Sequence, residues 1–373
     1  MPEPFKNLFN PEMIAQAGGH LHRANPEFDH GAFVALATDR LDDLELKERS
    51  NQIRDALSAT LPKDFKAACE TMLKALRPGF AGEHGNQMDE DGIAGWAVMP
   101  MADYVAEHGL GDVAFSLDVL KELTKRSSSE FAVRPFFLHA PDETLRVFKS
   151  WTKDENIHVR RLASEGSRPR LPWGMRLQPF VEDPKPILPI LEALRGDPEE
   201  YVRRSVANNL NDIAKDHPDL VAEIAKKWRK GASKDQVRMV KHALRSLIKD
   251  GHKPTLKVLG YGPVKVAASL NLSATSLKMG DRLTLTAEVS SKADNAQPMI
   301  VDYVIHHRKA NGQTSPKVFK WKIAELKAGQ TLKLSKTHHF KPITTRVYYA
   351  GVHHVEVQIN GEVWARADFT LDV

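Results

Sequence analysis

The stretch HVRRLASEGSRPRLPWG, His158 to Gly174, begins with a motif that returns further along the chain. VRRLASEG at Val159, VRRSVANN at Val202 and VRMVKHAL at Val237 align with one another, and FAVRPFF around Val133 is a looser copy. Helical hairpins repeated at spacings of tens of residues are typical of HEAT-like solenoids. Each repeat of such an array buries its apolar stripe against its neighbours, so the motif predicts an α-helical repeat domain.

An insertion makes the spacing of the repeats irregular. RPRLPWGMRLQPFVEDPKP, Arg168 to Pro186, follows the copy at Val159 and is rich in Arg, Pro and Trp. Loops that project from one face of a solenoid often carry binding or catalytic residues. We therefore expect this insertion to be functional.

The sequence pattern changes after Gly260-Tyr261-Gly262. About seven short segments then alternate apolar and polar residues at period two, and Asn311-Gly312 and Asn360-Gly361 are tight-turn signals. This pattern is typical of an immunoglobulin-like β-sandwich. We predict an all-α HEAT-like-repeat solenoid over residues 1–258, followed by an all-β immunoglobulin-like sandwich over residues 263–373.

Composition narrows the class of protein. The chain has 373 residues and a net charge of +5, which is a mild hint of a polyanionic partner and also fits a basic protein without one. The single cysteine, Cys69, excludes an internal disulfide, indicates a reducing compartment and is expected to be buried. No apolar run approaches about 20 residues, and the start MPEPFKNLFN has no signal-peptide core. We expect a soluble, cytoplasmic protein without a membrane segment.

The first repeat helix has an apolar side and a charged side. At about 100° per residue, the apolar side consists of Val159, Leu162, Ala163 and Gly166. The opposite side carries Arg161, Glu165 and Arg168. We expect this charged side to face the concave surface of the solenoid.

The next copy adds a second carboxylate. Arg204, Asn208 and Asn211 fall on the equivalent face, and Asp212 lies one turn beyond Asn208. Two adjacent helices thus predict a basic groove that contains Glu165 and Asp212. Ordinary surface ion pairs, worth a few tenths of a kcal/mol, would also explain these carboxylates.

Arginines dominate the predicted groove. Guanidinium groups match phosphate oxygens and release counterions on binding, so the groove suits a nucleic-acid backbone. The arginines concerned are Arg160, Arg161, Arg168, Arg170, Arg176, Arg203 and Arg204. A carboxylate among them would be repelled by DNA, so the position of Glu165 indicates that a positive charge is met there.

Four stretches together resemble one enzyme family. VRRLASEGSRPRLPW, SSEFAVRPFF, GWAVMPMADYVAEHGL and EPFKNLFN resemble the AlkC family of bacterial 3-methyladenine DNA glycosylases, which are HEAT-like-repeat DNA alkylation repair enzymes. The resemblance covers about residues 1–260, and some members carry an appended immunoglobulin-like domain. It implies hydrolysis of the N-glycosidic bond of N3-methyladenine in duplex DNA, without rotation of the nucleotide into a closed pocket.

The resemblance also implies catalytic roles. Glu165 would face the cationic lesion or sugar and hold or deprotonate the attacking water, and Asp212 would be the second carboxylate. Trp173 would stack on the lesion or lean on the deoxyribose, with a cation–π energy of about 0.5–2 kcal/mol, unless its ring caps the core. Glu130 would contact the lesion or cap its helix beside Ser129, and both alternatives stay open.

DNA contacts are expected in both domains, from the resemblance for the helical domain and as a separate hypothesis for the sandwich. Arg134, Asn208 and the repeat arginines would hold phosphates. In the sandwich, the segments HHRKANGQTSPK and THHFKPITTRVYY would close on the minor groove as a clamp. The basic residues there are Arg308, Lys309, Lys317 and Lys336. The alternative is a solvated β-domain or a protein-binding module.

Other chemistry lacks a signal. There is no phosphate loop of the P-loop type and no His-Glu-x-x-His. His338-His339 and His353-His354 lie in predicted strands, where neighbouring side chains point to opposite faces, so we expect no metal and no cofactor. No lysine is marked for lyase chemistry, which favours a monofunctional hydrolase on double-stranded DNA. A solenoid followed by a sandwich has no obvious need for a second subunit, so we expect a monomer. The alternative function is a non-catalytic repeat scaffold that binds DNA or protein.

Overall fold

The computed structural model describes residues 4–78 and 87–373. Glu3, the first residue of the EPFKNLFN stretch, lies outside these ranges. The chain divides into two compact units, Met1–Asp216 with Ser233–Ala243, and His217–Ala232 with Leu244–Val373. Within the described ranges, no helix has the length and apolar character that a membrane crossing requires.

The described residues form sixteen α-helices, besides short 3-10 turns. In chain order they are α1 (Pro11–Ala24), α2 (His30–Thr38), α3 (Leu46–Thr60), α4 (Phe65–Lys74), α5 (Val98–His108), α6 (Val113–Thr124), α7 (Arg134–His139), α8 (Pro141–Trp151), α9 (Ile157–Glu165), α10 (Gln178–Glu182), α11 (Leu188–Leu194), α12 (Glu200–Ile213), α13 (Pro218–Trp228), α14 (Lys234–Ala243), α15 (Arg245–Lys249) and α16 (Lys253–Val258). Several begin at an Asn or Asp whose side chain accepts a backbone N–H, as Asn10 and Asn156 do.

The repeated motif lies on three helices of the first unit. Its three copies lie on α9, α12 and α14, and α12 packs against the other two. Val159 and Val202 are fully buried, as the apolar stripe predicts. In the third copy Val237 is exposed, and Met239 and Val240 fill the core instead. Copies that are aligned in sequence therefore bury different positions of the motif.

Gly166 shows how closely the repeats approach one another. It follows the last residue of α9, and a Cβ at this position would lie 2.6 Å from Cγ2 of Val133. Such a distance is far shorter than a normal carbon contact, so the glycine permits α9 to end against the residue that precedes α7. The motif VRRLASEG thus carries both its apolar stripe and the small residue that the packing requires.

The second unit contains the strands, in two sheets. The strands are β1 (Val266–Leu272), β2 (Ser276–Lys278), β3 (Arg282–Ser291), β4 (Gln297–Arg308), β5 (Thr314–Leu326), β6 (Thr331–His339), β7 (Gly351–Ile359) and β8 (Glu362–Asp372). One sheet has the order β1-β3-β6 and the other β2-β8-β7-β4-β5. Val289, Val301 and Val357 lie in one apolar cluster between the sheets, and Leu285, Tyr303 and Phe369 lie in the other.

Three helices, α13, α15 and α16, belong to the same unit as the strands. Asn360 donates a side-chain hydrogen bond to the carbonyl of Gly262 at 2.8 Å. Gly251 and Gly361 lie so close that a Cβ on Gly361 would be 2.4 Å from the Cα of Gly251. Gly251 has a φ of +68° and Gly361 a φ of +78°, in the left-handed region that favours glycine. Both positions therefore require glycine, for the backbone conformation and because a Cβ would clash. The turn between β7 and β8 is thereby tied to the chain between α15 and α16.

The predicted fold class, a helical-repeat domain followed by an immunoglobulin-like sandwich, is confirmed. The last helix ends at Val258 and the first strand begins at Val266, whereas the compact units place α13, α15 and α16 with the strands. Cys69 is fully buried, and burial raises the pKa of its thiol to about 12, so the side chain is a neutral core residue.

Candidate active site

Arg168 bridges the two predicted carboxylates. Its Nη1 donates to Oε1 of Glu165 at 2.6 Å, and its Nε donates to Oδ2 of Asp212 at 2.7 Å. Glu165 is 4% exposed and Asp212 is 2% exposed. The alternative of ordinary surface ion pairs is therefore wrong, because α9 and α12 pack side by side and bury the C-terminal turns that carry these residues. We call Glu165, Arg168 and Asp212 the carboxylate–arginine bridge.

The remaining carboxylate oxygens of the bridge also have donors. Ser205 Oγ donates to Oε2 of Glu165 at 2.6 Å, and Lys215 Nζ lies 3.1 Å from Oδ1 of Asp212. Burial disfavours the charge of Arg168, but the hydrogen bond from Arg168 to Asp212 and the charge of Glu165 outweigh this effect, so the pKa of Arg168 is raised. Rotation of either carboxylate would break two hydrogen bonds, so both groups are held in one orientation.

Glu130 joins the site through Arg161. Arg161 Nη1 donates to Oε2 of Glu130 at 2.9 Å, and Ser128 Oγ donates to the same oxygen at 2.8 Å. The guanidinium carbon of Arg161 lies 5.0 Å from the centre of the Tyr201 ring. The N-cap of the following helix, α7, is Val133, so Glu130 does not have the capping role that the sequence left open. Glu130 instead faces the cavity beside Glu165.

An open cavity of about 700 Å³ lies beside the carboxylate–arginine bridge. Aromatic rings and carboxylates share its wall, a combination that favours a flat cation. The lining residues are Glu45, Leu46, Lys47, Trp96, Met99, Glu130, Phe131, Glu165, Arg168, Leu171, Pro172 and Trp173. Asp212 does not line this cavity and reaches it only through Arg168.

Trp173 stands at the edge of the cavity in an unusual conformation. Its φ of +62° lies in the left-handed region, which is uncommon for a residue with a bulky side chain. The residue is 63% exposed, so the alternative that its ring caps the core is wrong. Lys47 of α3 donates a hydrogen bond to its carbonyl, and the Phe5 ring packs edge-on at 6.3 Å. The N-terminal helices thus hold the inserted loop in place.

Three of the predicted phosphate-binding arginines are buried. Arg134 is fully buried and donates to the carbonyls of Met175 at 2.7 Å and Gly166 at 3.0 Å. Burial lowers its pKa to about 10, which still leaves a cation at neutral pH. Arg203 donates to the carbonyls at the start of α12, and Arg168 belongs to the bridge. The exposed positions expected for them are wrong, since all three side chains are buried and donate hydrogen bonds to backbone carbonyls or buried carboxylates.

The other arginines that were predicted to contact DNA differ in exposure and in ion pairing. Arg160 pairs with Asp197, and Arg170 pairs with Asp216, each at 2.7 Å. Arg176 is exposed on the inserted loop. The side chain of Arg204 is 67% exposed and lies 3.8 Å from Glu200.

A second cavity of about 450 Å³ lies between α12 and α14. Arg204, Asn208 and His242 line it, together with Arg238, whose side chain is 69% exposed. Sequence reasoning missed Arg238, although it follows the repeat valine of the third copy just as Arg203 follows that of the second. Lys47 and Trp96 were missed as well, and no local pattern connects them with the bridge.

Known proteins share this architecture over the whole chain. A family described as DNA alkylation repair enzyme matches residues 102–249, and one described as Uncharacterised protein YhaZ, C-terminal Ig-like domain matches residues 266–373. Uncharacterized protein YhaZ of Bacillus subtilis is 38% identical over 98% of this chain and 99% of its own length. The solved structure of Pseudomonas fluorescens alkylpurine DNA glycosylase AlkC, bound to DNA containing an abasic site analog, is 35% identical, with a TM-score of 0.88 and full coverage of both chains.

The chain belongs to the AlkC family of DNA alkylation repair enzymes. The family suggested by the sequence is thus confirmed, and so is the immunoglobulin-like domain that accompanies it. In this member of the family, the long central motif of the sequence contributes Glu165, Arg168 and Trp173 to one site.

Replacing Arg168 by Met should destabilise the helical unit strongly. The change leaves Glu165 and Asp212 buried without their shared cation, which typically costs about 3–5 kcal/mol of unfolding free energy. Urea unfolding followed by far-ultraviolet circular dichroism measures this loss. Arg204→Met is the matched control, since Arg204 is exposed and its removal should change stability by less than about 0.5 kcal/mol. Equal losses in the two variants would contradict a structural role for the bridge.

Proposed function

We propose that the protein is a monofunctional DNA glycosylase that hydrolyses the N-glycosidic bond of cationic alkylated bases, chiefly N3-methyladenine, in double-stranded DNA. The main support is the carboxylate of Glu165, which two hydrogen bonds hold in place on the wall of a cavity lined by aromatic and acidic residues. Support comes also from the whole-length likeness to a protein named as an alkylpurine DNA glycosylase and bound to DNA with an abasic site analog.

The chemistry of the lesion explains why carboxylates suffice. An alkylated purine of this kind carries positive charge and departs as a neutral base, so no general acid has to protonate it. The remaining demand is the positive charge that develops on the sugar as the bond breaks. A carboxylate that is already oriented toward this charge stabilises the transition state without reorganisation. The hydrogen bonds from Arg168 and Ser205 supply that orientation for Glu165.

The two carboxylates have different tasks in this proposal. Glu165 lines the cavity and meets the sugar and the attacking water. Asp212 lies behind Arg168 and acts as a positioning residue, since it fixes the guanidinium that holds Glu165. The sequence resemblance assigned both to catalysis, and the geometry favours this division between them.

The cationic base is the second feature that the cavity suits. The rings of Trp96, Phe131 and Trp173 offer faces worth about 0.5–2 kcal/mol each to a cation, and Glu130 adds negative charge. A neutral base would gain neither contribution. Because the cavity is open, we propose that it meets the lesion in a deformed duplex, without complete rotation of the nucleotide. The exposed side chains of Arg176, Arg204 and Arg238 would meet phosphates, and Asn208 lines the second cavity beside Arg204 and Arg238.

Release of methylated bases from methylated duplex DNA, resolved by base, tests the activity. We expect the native protein to release N3-methyladenine and Glu165→Gln to lose about 10²-fold or more of the single-turnover rate, while DNA binding persists. Asp212→Asn should also lower the rate, because it loosens Arg168. Glu182→Gln, which changes an exposed glutamate, is the control and should keep the native rate.

The other outcomes of this assay are informative too. Absence of base release with intact DNA binding would favour a non-catalytic repeat scaffold. Borohydride trapping of an enzyme–DNA adduct would contradict simple hydrolysis and would point to Lys47, whose amine lies on the cavity wall.

Lys47 is expected to act through Trp173. Its Nζ donates to the Trp173 carbonyl, so Lys47→Met should let the indole move and slow excision by about tenfold to 10²-fold. In a Trp173→Ala background the same change should have no further effect, which a double-mutant cycle of excision rates measures. Lys66→Met, which removes an exposed lysine paired with Asp112, is the control. Independent, multiplying losses would show instead that Lys47 contacts DNA directly.

We also propose that one end of the sandwich grips DNA. The β4–β5 hairpin carries Lys309 at its tip, and the segment between β6 and β7 exposes Lys341, Ile343 and Val347. The two segments are neighbours: Arg308, the last residue of β4, lies 3.0 Å from a Cβ built on Gly351, the first residue of β7. Lysines beside exposed apolar side chains suit the minor groove, where apolar wedges enter between base steps.

The salt dependence of DNA binding tests this grip. Lys309→Gln combined with Lys341→Gln should lower the slope of log affinity against log salt by about 1.8, because each lost phosphate contact removes about 0.9. Lys292→Gln with Lys327→Gln is the matched control, since these exposed lysines lie at the opposite end of the sandwich. An unchanged slope in the first pair, or an equal change in the control pair, would contradict the clamp.

A further inference from the structure

Three potential metal ligands converge on one face of the five-stranded sheet. His306 of β4 lies directly opposite His354 of β7 in the strand register, and Glu356 is two residues further along β7. Residues two apart on a strand share a face, so all three side chains project from the same side. One ligand atom of each, a ring nitrogen or a carboxylate oxygen, lies within 4.8 Å of the other two.

The contacts within this group are close. The imidazole rings of His306 and His354 are stacked with centroids 3.9 Å apart and an interplanar angle of 21°. His306 Nε2 lies 2.8 Å from Oε2 of Glu356. The side chains of His306 and Glu356 are only 17% and 13% exposed, so the group is partly sheltered from water.

An ion pair between His306 and Glu356 accounts for only part of this arrangement. That ion pair involves His306 alone, so it does not account for the second imidazole, His354, stacked on the first. A cation shared by two neutral imidazoles and one carboxylate brings all three groups together. The nearest other charges on this face, Arg366 and Asp368, pair with each other at 3.2 Å and largely offset one another.

We propose that His306, His354 and Glu356 bind one divalent transition-metal ion, with zinc as the best match. Two imidazole nitrogens and one carboxylate oxygen are a ligand set that zinc accepts, and the remaining tetrahedral position goes to water. The three ligand atoms now lie within 4.8 Å of one another, and metal–ligand distances of about 2.0–2.2 Å would require them to turn toward one common centre. The site is distinct from the cavity beside the carboxylate–arginine bridge and does not depend on the proposed glycosylase activity.

The sequence argument against metal binding considered neighbours within one strand. That argument holds for His353 and His354, because His353 points into the core and is fully buried. The second imidazole comes instead from the adjacent strand, whose register no local pattern specifies. The expectation of no metal is thus replaced by a specific candidate site.

Zinc titration of the untagged full-length protein by calorimetry tests the proposal. We expect one equivalent of zinc to bind, and His354→Ala and Glu356→Gln each to weaken the affinity at least about tenfold, since loss of groups that only support a ligand already costs 10–100-fold. Glu356→Gln keeps a hydrogen-bond acceptor for His306 and guards against misfolding as the cause. His339→Ala, which removes an exposed histidine of β6, should bind as the native protein does.

Cobalt substitution provides a second readout. Co²⁺ at this site should give the intense visible absorption of a four-coordinate ion, and His354→Ala should abolish it. Zinc affinity that is the same in the native protein, His354→Ala and Glu356→Gln would overturn the proposal. So would a cobalt spectrum of six-coordinate, fully hydrated type.

Discussion

The candidate site depends on one buried guanidinium, Arg168, held between the carboxylates of Glu165 and Asp212. Removal of three charged groups from water is costly, and apolar residues of similar volume often stabilise a protein as well or better. Stability alone therefore does not account for this bridge. What the bridge provides is a carboxylate in a fixed orientation beside an aromatic cavity, which apolar packing cannot supply. The same three residues therefore join α9 to α12 and orient the carboxylate that the proposed chemistry requires.

The arginines of the repeat motif serve mainly to hold the helices together. Arg134 donates to the carbonyls of Gly166, just after α9, and of Met175 in the inserted loop, and Arg203 donates to the carbonyl of Asp197, between α11 and α12. Arg160 links α9 to Asp197, which lies between α11 and α12. A planar group with five donors can satisfy several acceptors at once, which explains why the motif uses arginine and not lysine there. The surface left for phosphates is consequently smaller than the count of arginines in the motif suggests.

Distant parts of the chain complete the site. Lys47 of α3 donates a hydrogen bond to the carbonyl of Trp173 from 126 positions away in sequence. The Phe5 ring packs against the Trp173 indole and also against the Trp96 ring. The left-handed backbone of Trp173 is a strained conformation, and such strain persists only where surrounding contacts impose it. Phe5 and Lys47 therefore support the inserted loop, although both lie outside the repeat motif.

The sequence by itself determined the two fold classes, the apolar stripe of the copies at Val159 and Val202, and the family to which Glu165, Asp212 and Trp173 pointed. Those properties follow from period, turn residues and a long motif, all of which are local. Only the tertiary structure decided that α12 covers the charged side of α9. A helical wheel separates apolar from charged positions, but it does not show which other helices pack against each side. The tertiary structure also decided that Lys47 meets Trp173 and that His306 meets His354, since contacts between helices and registers between strands depend on packing across the whole chain.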